Sequence, residues 1–367
     1  MTGDPVQQNE WTFYIPGRVC LLGDKIDLKG YPVVTATVSR VLRLDVRRVP
    51  RTADGARPVR LWSANVKAGL AFGDAGDVLR PESRAQWAAH PLKYWAAVLA
   101  AVLADPAHAP RVDSGFEAAL NSEIPIGKGV ASSAALSVGL ARALDALYGL
   151  GLAPDGLARL AYVAEHDVLQ IPCGRMDQYA IATGGLAHIW TGAAPRVTAL
   201  ALPRGVGPLS VVVGDTREPR PLQRLLVEFR AKLAAHDALT EEVFDRIKDC
   251  VEAGRDALQA GDVARFGAIM RAQMAQERRV GCITPGLERL CAAAERAGAL
   301  GAKLTGIGGG GCMVALCTPA TAPAVAQAIT DVGGLPFVVD VVNLVSATGE
   351  LTDYVPNIEP ASIPDQF

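Results

Sequence analysis

Three stretches of this chain carry residues whose types and spacing could do chemistry. The first, residues 122–135, reads S-E-I-P-I-G-K-G-V-A-S-S-A-A. Glycines and small residues there let backbone N–H groups approach an anion closely. Ser132 and Ser133 then open an Ala/Leu-rich segment that predicts a helix over 132–150. The free N–H groups and positive dipole end of such a helix favour phosphate. A serine hydroxyl there could reach a Mg2+ ion carried by that phosphate. A helix cap needs one serine, whereas Gly127, Lys128, Gly129, Val130 and Ala131 here precede a pair. The pattern G-x-x-x-x-G-K-[ST] is absent, which excludes the familiar P-loop.

The second stretch, residues 305–312, contains G-x-G-x-x-G from Gly306 to Gly311. A dinucleotide fingerprint must open a helix, but C-M-V-A-L-C follows and reads as a strand. A glycine-rich hairpin tip is the better account, either a flexible turn or a tip lying against bound phosphates. The third runs from Glu165 through P-C-G-R-M-D-Q at 172–178. Glu165 sits near the end of an apolar helix and Asp177 follows a Pro/Gly turn. Carboxylates in apolar surroundings have a partner or a task, although capping is the plain alternative for Asp177. His166 and Cys173 are assigned to structure.

Composition narrows the classes. The 367 residues carry 36 Lys+Arg against 38 Asp+Glu, leaving no basic excess for a nucleic-acid partner. At 50% hydrophobic content disorder is not expected. Seven cysteines without C-x-x-C read as reduced thiols, and five histidines without H-E-x-x-H make a structural zinc improbable. The opening M-T-G-D-P-V-Q-Q-N-E-W is unlike a signal peptide, and no uncharged apolar run of about 18 residues occurs. A soluble, cytoplasmic protein without a membrane partner is expected.

The elements that must position these loops follow from the pattern. Alternating β-branched residues from 11 to 49 predict strands around a glycine-bearing loop, 23–30. Further strands are expected at Val59–Ser63, 115–120 and 209–215, and helices at 91–103, 132–150 and from Pro154 onward. Helices at 222–235, 239–260, 262–276 and 286–298 precede a hairpin at 302–317, a helix at 320–332 and a last strand, F-V-V-D-V-V. Without a βαβ rhythm this is α+β. The length suggests about two domains, divided near 205 into 1–205 and 206–367.

Three motifs in this order resemble the GHMP kinases: residues 16–27 (P-G-R-V-C-L-L-G-D-K-I-D), 125–135 and 303–314. The galactokinase branch is most similar. Its opening motif is P-G-R-V-N-L-I-G-E-H-T-D-Y-N-G, and its P-C-G-x-M-D-Q matches Pro172 to Gln178. The G-K-G-V-x-S-S pattern also resembles plant arabinokinases. The resemblance implies a two-domain fold, with an N-terminal domain like ribosomal protein S5 domain 2 and a ferredoxin-like C-terminal one. ATP and substrate would lie between them. It further implies that Gly127, Lys128, Gly129, Val130, Ala131 and Ser132 wrap the ATP phosphates. Ser133 and Glu165 would bind Mg2+, Asp177 would be the catalytic aspartate with Arg18 beside it, and Gly308, Gly309 and Gly310 would close over the phosphates. Asp24, Lys25, Asp27, Gly174 and Arg217 would meet the substrate. Phosphoryl transfer needs in-line positioning and charge neutralisation more than covalent help, and Asp177 would accept or orient a sugar hydroxyl proton.

The galactokinase run Glu-His-Thr-Asp-Tyr-Asn becomes Asp24-Lys25-Ile26-Asp27-Leu28-Lys29 here. Asp27 is retained, but the pair facing the C6 end of galactose is replaced. A site built for one hydroxyl pattern rejects another by leaving polar groups unpaired. Lysine offers donors and positive charge, suited to a carboxylate or phosphate, and Arg217 and Arg220 could add to it. The expectation is an anomeric (C1) sugar kinase, monomeric or homodimeric. Its aldose would differ from galactose at C5/C6: a pentose, a uronic acid, or a phosphorylated heptose or octose. Galactokinase proper, a non-catalytic sugar sensor and a non-sugar reaction such as mevalonate phosphorylation are the alternatives.

Overall fold

The computed structural model describes residues 9–219, 222–342 and 356–364. Residues 1–8, part of the stretch read for a leader, and Arg220 lie outside the described residues. In chain order the first half contains β1 (Glu10–Leu22), β2 (Pro32–Val49), β3 (Val59–Ser63), β4 (Ala68–Phe72), α1 (Pro81–Trp87), α2 (Lys93–Ala104) and β5 (Gly115–Ser122). It continues with α3 (Ser132–Tyr148), α4 (Pro154–Val163), α5 (Met176–Thr183), β6 (Leu186–Trp190) and β7 (Arg196–Ala199). The strands form one sheet ordered β4-β3-β5-β2-β6-β7, with β1 also paired to β2. Only β3 and β5 run parallel within it. Residues 32–49 of β2 are long enough to serve β1, β5 and β6 together.

The sequence breaks the first strand into two hydrophobic runs, but the backbone carries both as β1, with a register shift between Pro16 and Gly17. Proline cannot donate to the ladder, and a Cβ on Gly17 would come within 2.9 Å of the Val130 carbonyl oxygen. The shift therefore sits where β1 must admit the loop before α3. Helix α1, unanticipated from composition, starts with proline at its first position.

The second half contains β8 (Ser210–Asp215), α6 (Leu222–Ala234), α7 (Ala238–Gln259), α8 (Val263–Arg279), α9 (Pro285–Arg296), β9 (Gly301–Leu304), β10 (Cys312–Cys317), α10 (Ala322–Asp331) and β11 (Leu335–Asp340). Its antiparallel sheet runs β11-β8-β10-β9. The expected helices, the glycine-tipped hairpin and the last strand are all present. All seven cysteines are free thiols. Among the described residues no helix is long and apolar enough to cross a membrane.

The loop after β1 locks the two sheets together. Asp24 and Lys303 form an ion pair with both side chains fully buried, and Asp24 also accepts from the Gly306 N–H and the Thr305 hydroxyl. Lys25 pairs with Glu277 of α8 at 2.6 Å, again fully buried. The Gly23 N–H donates to Gln273 at 2.9 Å. Close approach of α7 depends on Gly254, where a Cβ would fall 2.2 Å from a Leu22 methyl. Burial alone would raise the Asp24 pKa, but the charges of Lys303 and Lys25 overcome it and hold the group below its ordinary value. Residues 356–364 return to the first sheet, where Ile358 packs with Val41 and its carbonyl accepts from Arg43.

Removing one partner of a buried pair strands the other charge. We expect Lys303→Met to lower stability by about 3–5 kcal/mol in urea unfolding, and Asp24→Asn combined with Lys303→Met to recover much of that loss. A single variant as stable as the native chain would show that the pair does not hold the two halves together.

Candidate active site

Arg18 leaves β1 just after the Pro16/Gly17 shift and is nearly fully buried. Its backbone N–H donates to the Val130 carbonyl at 3.1 Å. Its Nε and Nη2 both reach Oδ1 of Asp177, at 2.9 and 2.6 Å, and Nη1 reaches the Gly129 carbonyl at 2.7 Å. One guanidinium thus ties the glycine-rich loop to the first turn of α5. Burial would lower its pKa, but Asp177 more than offsets this. Asp177 occupies the second position of α5, where the helix dipole favours a carboxylate. Both guanidinium contacts use Oδ1 and leave Oδ2 facing the cavity that Asp177 lines.

Glu165 lies where α4 passes into a π-helical turn, Ala164–Val168, a distortion frequent at functional sites. The turn directs its carboxylate inward, where it is 3% exposed. Burial pushes Glu165 up to about 7, with Asp177 adding to the rise and bonds from Gln178, Ser137 and Ser133 opposing it. The Gln178 amide donates to Glu165 Oε1 at 3.1 Å. Ser132 and Ser133 open α3 behind Ala131, whose φ of 57 is left-handed. Tyr94, at the start of α2, lies close enough to Glu165 and Ser133 that burial and the Glu165 charge raise its phenol.

Asp27 stands in a 3-10 turn, Ile26–Lys29, after β1. Burial raises it to about 7, the Asp177 charge adds to this, and Arg18 opposes. A Cβ on Gly174 would fall 1.9 Å from Asp27 Oδ2, so the carboxylate lies directly on the glycine backbone. These groups line a cavity of about 300 Å3 that includes Arg18, Asp27, Ser133, Glu165, Asp177 and Gln178. A second, apolar cleft of about 320 Å3 adjoins it, sharing Tyr94, Ser132 and Ser133 and walled by Leu42, Leu92 and Leu136.

The structure thus brings Arg18, Lys25, Asp27, Gly127, Gly129, Ala131, Ser132, Ser133, Glu165, Gly174 and Asp177 to one cavity. Other expected site residues are placed elsewhere. Asp24 has no exposed surface, and its carboxylate is consumed by Lys303, Thr305 and Gly306. Lys25 lines the cavity, but its charge is already matched by Glu277. Arg217 is exposed, in a left-handed turn, and outside the cavity lining. Lys128 pairs with Asp215 at the end of β8. Val130 is a core residue that offers its carbonyl to Arg18. Gly308 and Gly310 press on the backbones of Cys282 and Pro219, and the Gly309 N–H donates to the Cys282 carbonyl. The hairpin meets the cavity through Gly306 and Ile307 instead.

Residues the sequence did not single out also reach the cavity. Tyr94 and Leu226 arrive from α2 and α6, where only their helical pattern was visible. Gln178 was inside a quoted motif without a role. Cys173, assigned to structure, lines the cavity, and burial together with Glu165 and Asp177 raises its thiol and keeps it neutral. His166 stacks on Tyr162 with its ring centroid 4.9 Å away, in keeping with a structural role.

Among the described residues no group of three or more His, Cys, Asp or Glu could hold a metal ion alone. Glu165 beside Ser133 offers instead one carboxylate and one hydroxyl, suited to a hard cation that arrives with phosphate oxygens. The raised Glu165 and the unpartnered, buried Gln178 Oε1 fit a site completed by such a cation.

Asp27 yields a pH test. Its folded pKa of about 7 exceeds the ordinary carboxylate value, so folding takes up a proton and stability falls as pH rises through that interval. Asp27→Asn should raise the thermal midpoint more at pH 8 than at pH 5. An equal shift at both values would place Asp27 in a well-solvated setting.

Residues 94–185 match the GHMP kinases N terminal domain, and residues 255–334 match the GHMP kinases C terminal domain. The mevalonate kinase of Thermococcus onnurineus is 30% identical over 330 residues, covering 88% of this chain and 93% of that protein. The galactokinase of Streptomyces coelicolor is 30% identical over 358 residues, covering 88% of each. The solved structure of Lactococcus lactis galactokinase complexed with galactose superposes with a TM-score of 0.72 at 23% identity, over 93% of this chain and 95% of that one. With both domain matches in chain order and full-length relatives of this kind, the chain belongs to the GHMP kinase family, and its two-domain α+β fold is the fold of that family.

Proposed function

We propose that this GHMP kinase transfers the γ-phosphoryl group of ATP to the anomeric hydroxyl of a neutral aldose, forming a sugar 1-phosphate. The charge inventory of the cavity carries this reading. Of the described residues lining it, the cations Arg18 and Lys25 are each engaged by a carboxylate, Asp177 and Glu277, while Asp27 and Glu165 add two further acids. Among the described lining residues an anionic substrate would meet no uncompensated cation, whereas hydroxyls would find acceptors in Asp27 and Asp177. The expectation of a uronic acid or a terminally phosphorylated sugar drew on Lys25, with Arg217 and Arg220 adding to it; the pairing of Lys25 with Glu277 weakens its first leg. This favours a pentose or another neutral aldose that differs from galactose at C5/C6.

In this reading the apolar cleft beside Ser132 and Ser133 takes the adenine, and the N-terminus of α3 receives the phosphates. Gly127, Gly129 and Ala131 let the phosphate chain approach the backbone. Ser133 and Glu165 would hold the cation, which supplies charge neutralisation at the β- and γ-phosphate oxygens. Arg18 orients Asp177 through its two bonds to Oδ1, so that Oδ2 accepts the hydrogen bond of the attacking hydroxyl. The sugar oxygen bonds to the γ-phosphorus, the bond to the ADP oxygen breaks, and the hydroxyl proton leaves towards Asp177. Asp27 fixes the sugar ring through neighbouring hydroxyls.

The kinship with mevalonate kinases supports a second reading, phosphorylation of mevalonate. Mevalonate carries a carboxylate, which this cavity matches poorly, so substrate choice separates the two. We expect ADP release from Mg-ATP with at least one of galactose, arabinose or related neutral aldoses, and far less with galacturonate or mevalonate. Asp177→Asn should cut that turnover by roughly 10²–10⁴-fold. Turnover confined to mevalonate or to anionic sugars would overturn the neutral-aldose reading. Nucleotide binding without turnover on any acceptor would favour a sensor.

A further inference from the structure

Gln178 follows Asp177 directly on α5 and is 1% exposed, yet it lines the cavity. Its Nε2 donates to Glu165 Oε1 at 3.1 Å. With the amide N–H side on Glu165, the carbonyl side of Gln178 points the other way. The carbonyl oxygen is then left buried without a hydrogen-bond partner. Buried amide oxygens are nearly always satisfied, so an orphan beside an acidic site marks a missing donor.

We infer that Gln178 is a positioning residue for the metal site, acting on both sides of its amide. The N–H side holds one oxygen of Glu165 and leaves the other turned towards Ser133 and the cation. The carbonyl side receives a water of the cation's hydration shell. Such partners hold a ligating carboxylate in one orientation and tune metal affinity, and Mg2+ in phosphoryl-transfer sites keeps several waters. The placement of Gln178 one residue after Asp177 also couples the geometry of the metal to that of the reacting hydroxyl. This inference rests on the reading of Glu165 as the metal-binding carboxylate.

The test is Mn2+ binding to the full chain in the presence of the non-hydrolysable analogue AMP-PNP, followed by the EPR signal of free Mn2+. Gln178→Met preserves side-chain length and removes both polar groups; Gln178→Leu does the same with a shorter chain, should the first fail to fold. Either variant should weaken Mn2+ by about 10–100-fold. Metal-free AMP-PNP affinity should change far less than Mn2+ affinity, whereas a general disruption of the site would lower both. Glu165→Gln is the control. If it weakens Mn2+ while a folded Gln178 variant stays within twofold of the native chain, the role of Gln178 is overturned and the metal reading stands. If Glu165→Gln also leaves Mn2+ unchanged, the metal reading itself falls. Weakening by the Gln178 variants alone would show that Gln178 does not act through Glu165, and would overturn the inference as stated.

Discussion

The site depends on how one buried guanidinium is used. Arg18 has a rigid fork of donors and no way to lose its proton, so burying it demands acceptors from several directions. It finds them in Asp177 on α5 and in the carbonyl of Gly129 in the loop before α3. Because Arg18 is itself on a strand, the loop and the helix are referenced to the sheet, and so to each other. The register shift at Pro16 and Gly17 exists to make this possible, since the loop approaches the strand more closely than any side chain at position 17 would allow.

A second constraint sits six residues later in the same strand-loop unit. Asp24 and Lys25 each reach into the second half of the molecule, to Lys303 and Glu277. Buried ion pairs contribute little net stability over an apolar contact, but they penalise every arrangement that separates the charges. They therefore suit a junction between two sheets that must enclose a cavity in one relative placement. The cavity wall inherits that placement: Asp27 is held by the same turn and rests on Gly174, so its position opposite Asp177 is tied to the junction.

Much of this was legible in the residues. The glycine and serine pattern at 127–133 states its chemistry locally, because close backbone approach and a helix N-terminus need no distant partner. The same holds for Glu165 and Asp177, conspicuous as acids among apolar neighbours. What the sequence hides is the identity of a partner far along the chain. Asp24 was expected to meet substrate, but its partner lies 279 positions away, and that of Lys25 lies 252 positions away. The glycines at 308–310 were read as a cover for phosphates; in the fold Gly308 and Gly310 also press on the backbones of Cys282 and Pro219. Tyr94 and Leu226 are ordinary members of helical patterns until the fold turns them inward. Types and spacing reveal what a residue can do; which charges are already spent becomes visible only in three dimensions.

That distinction bears on how such a cavity can change its substrate. A lysine in a cavity wall invites the reading that an anion belongs there, and a buried carboxylate behind it weakens that reading. Glu277 lies on α8, outside the cavity lining, yet it sets the effective charge of the wall through Lys25. Gln273, one turn earlier on the same helix, donates to the same Glu277 oxygen and accepts from the Gly23 N–H. The electrostatic character of this part of the cavity wall is therefore controlled from a helix of the second half, through a contact that also holds the two halves together. Substitutions at Glu277 would alter charge and junction at once, so selectivity and stability are coupled in this fold. A neutral pair at that place costs no long-range attraction for uncharged polyols, which bind through hydrogen bonds, while it removes the attraction that an anion would need.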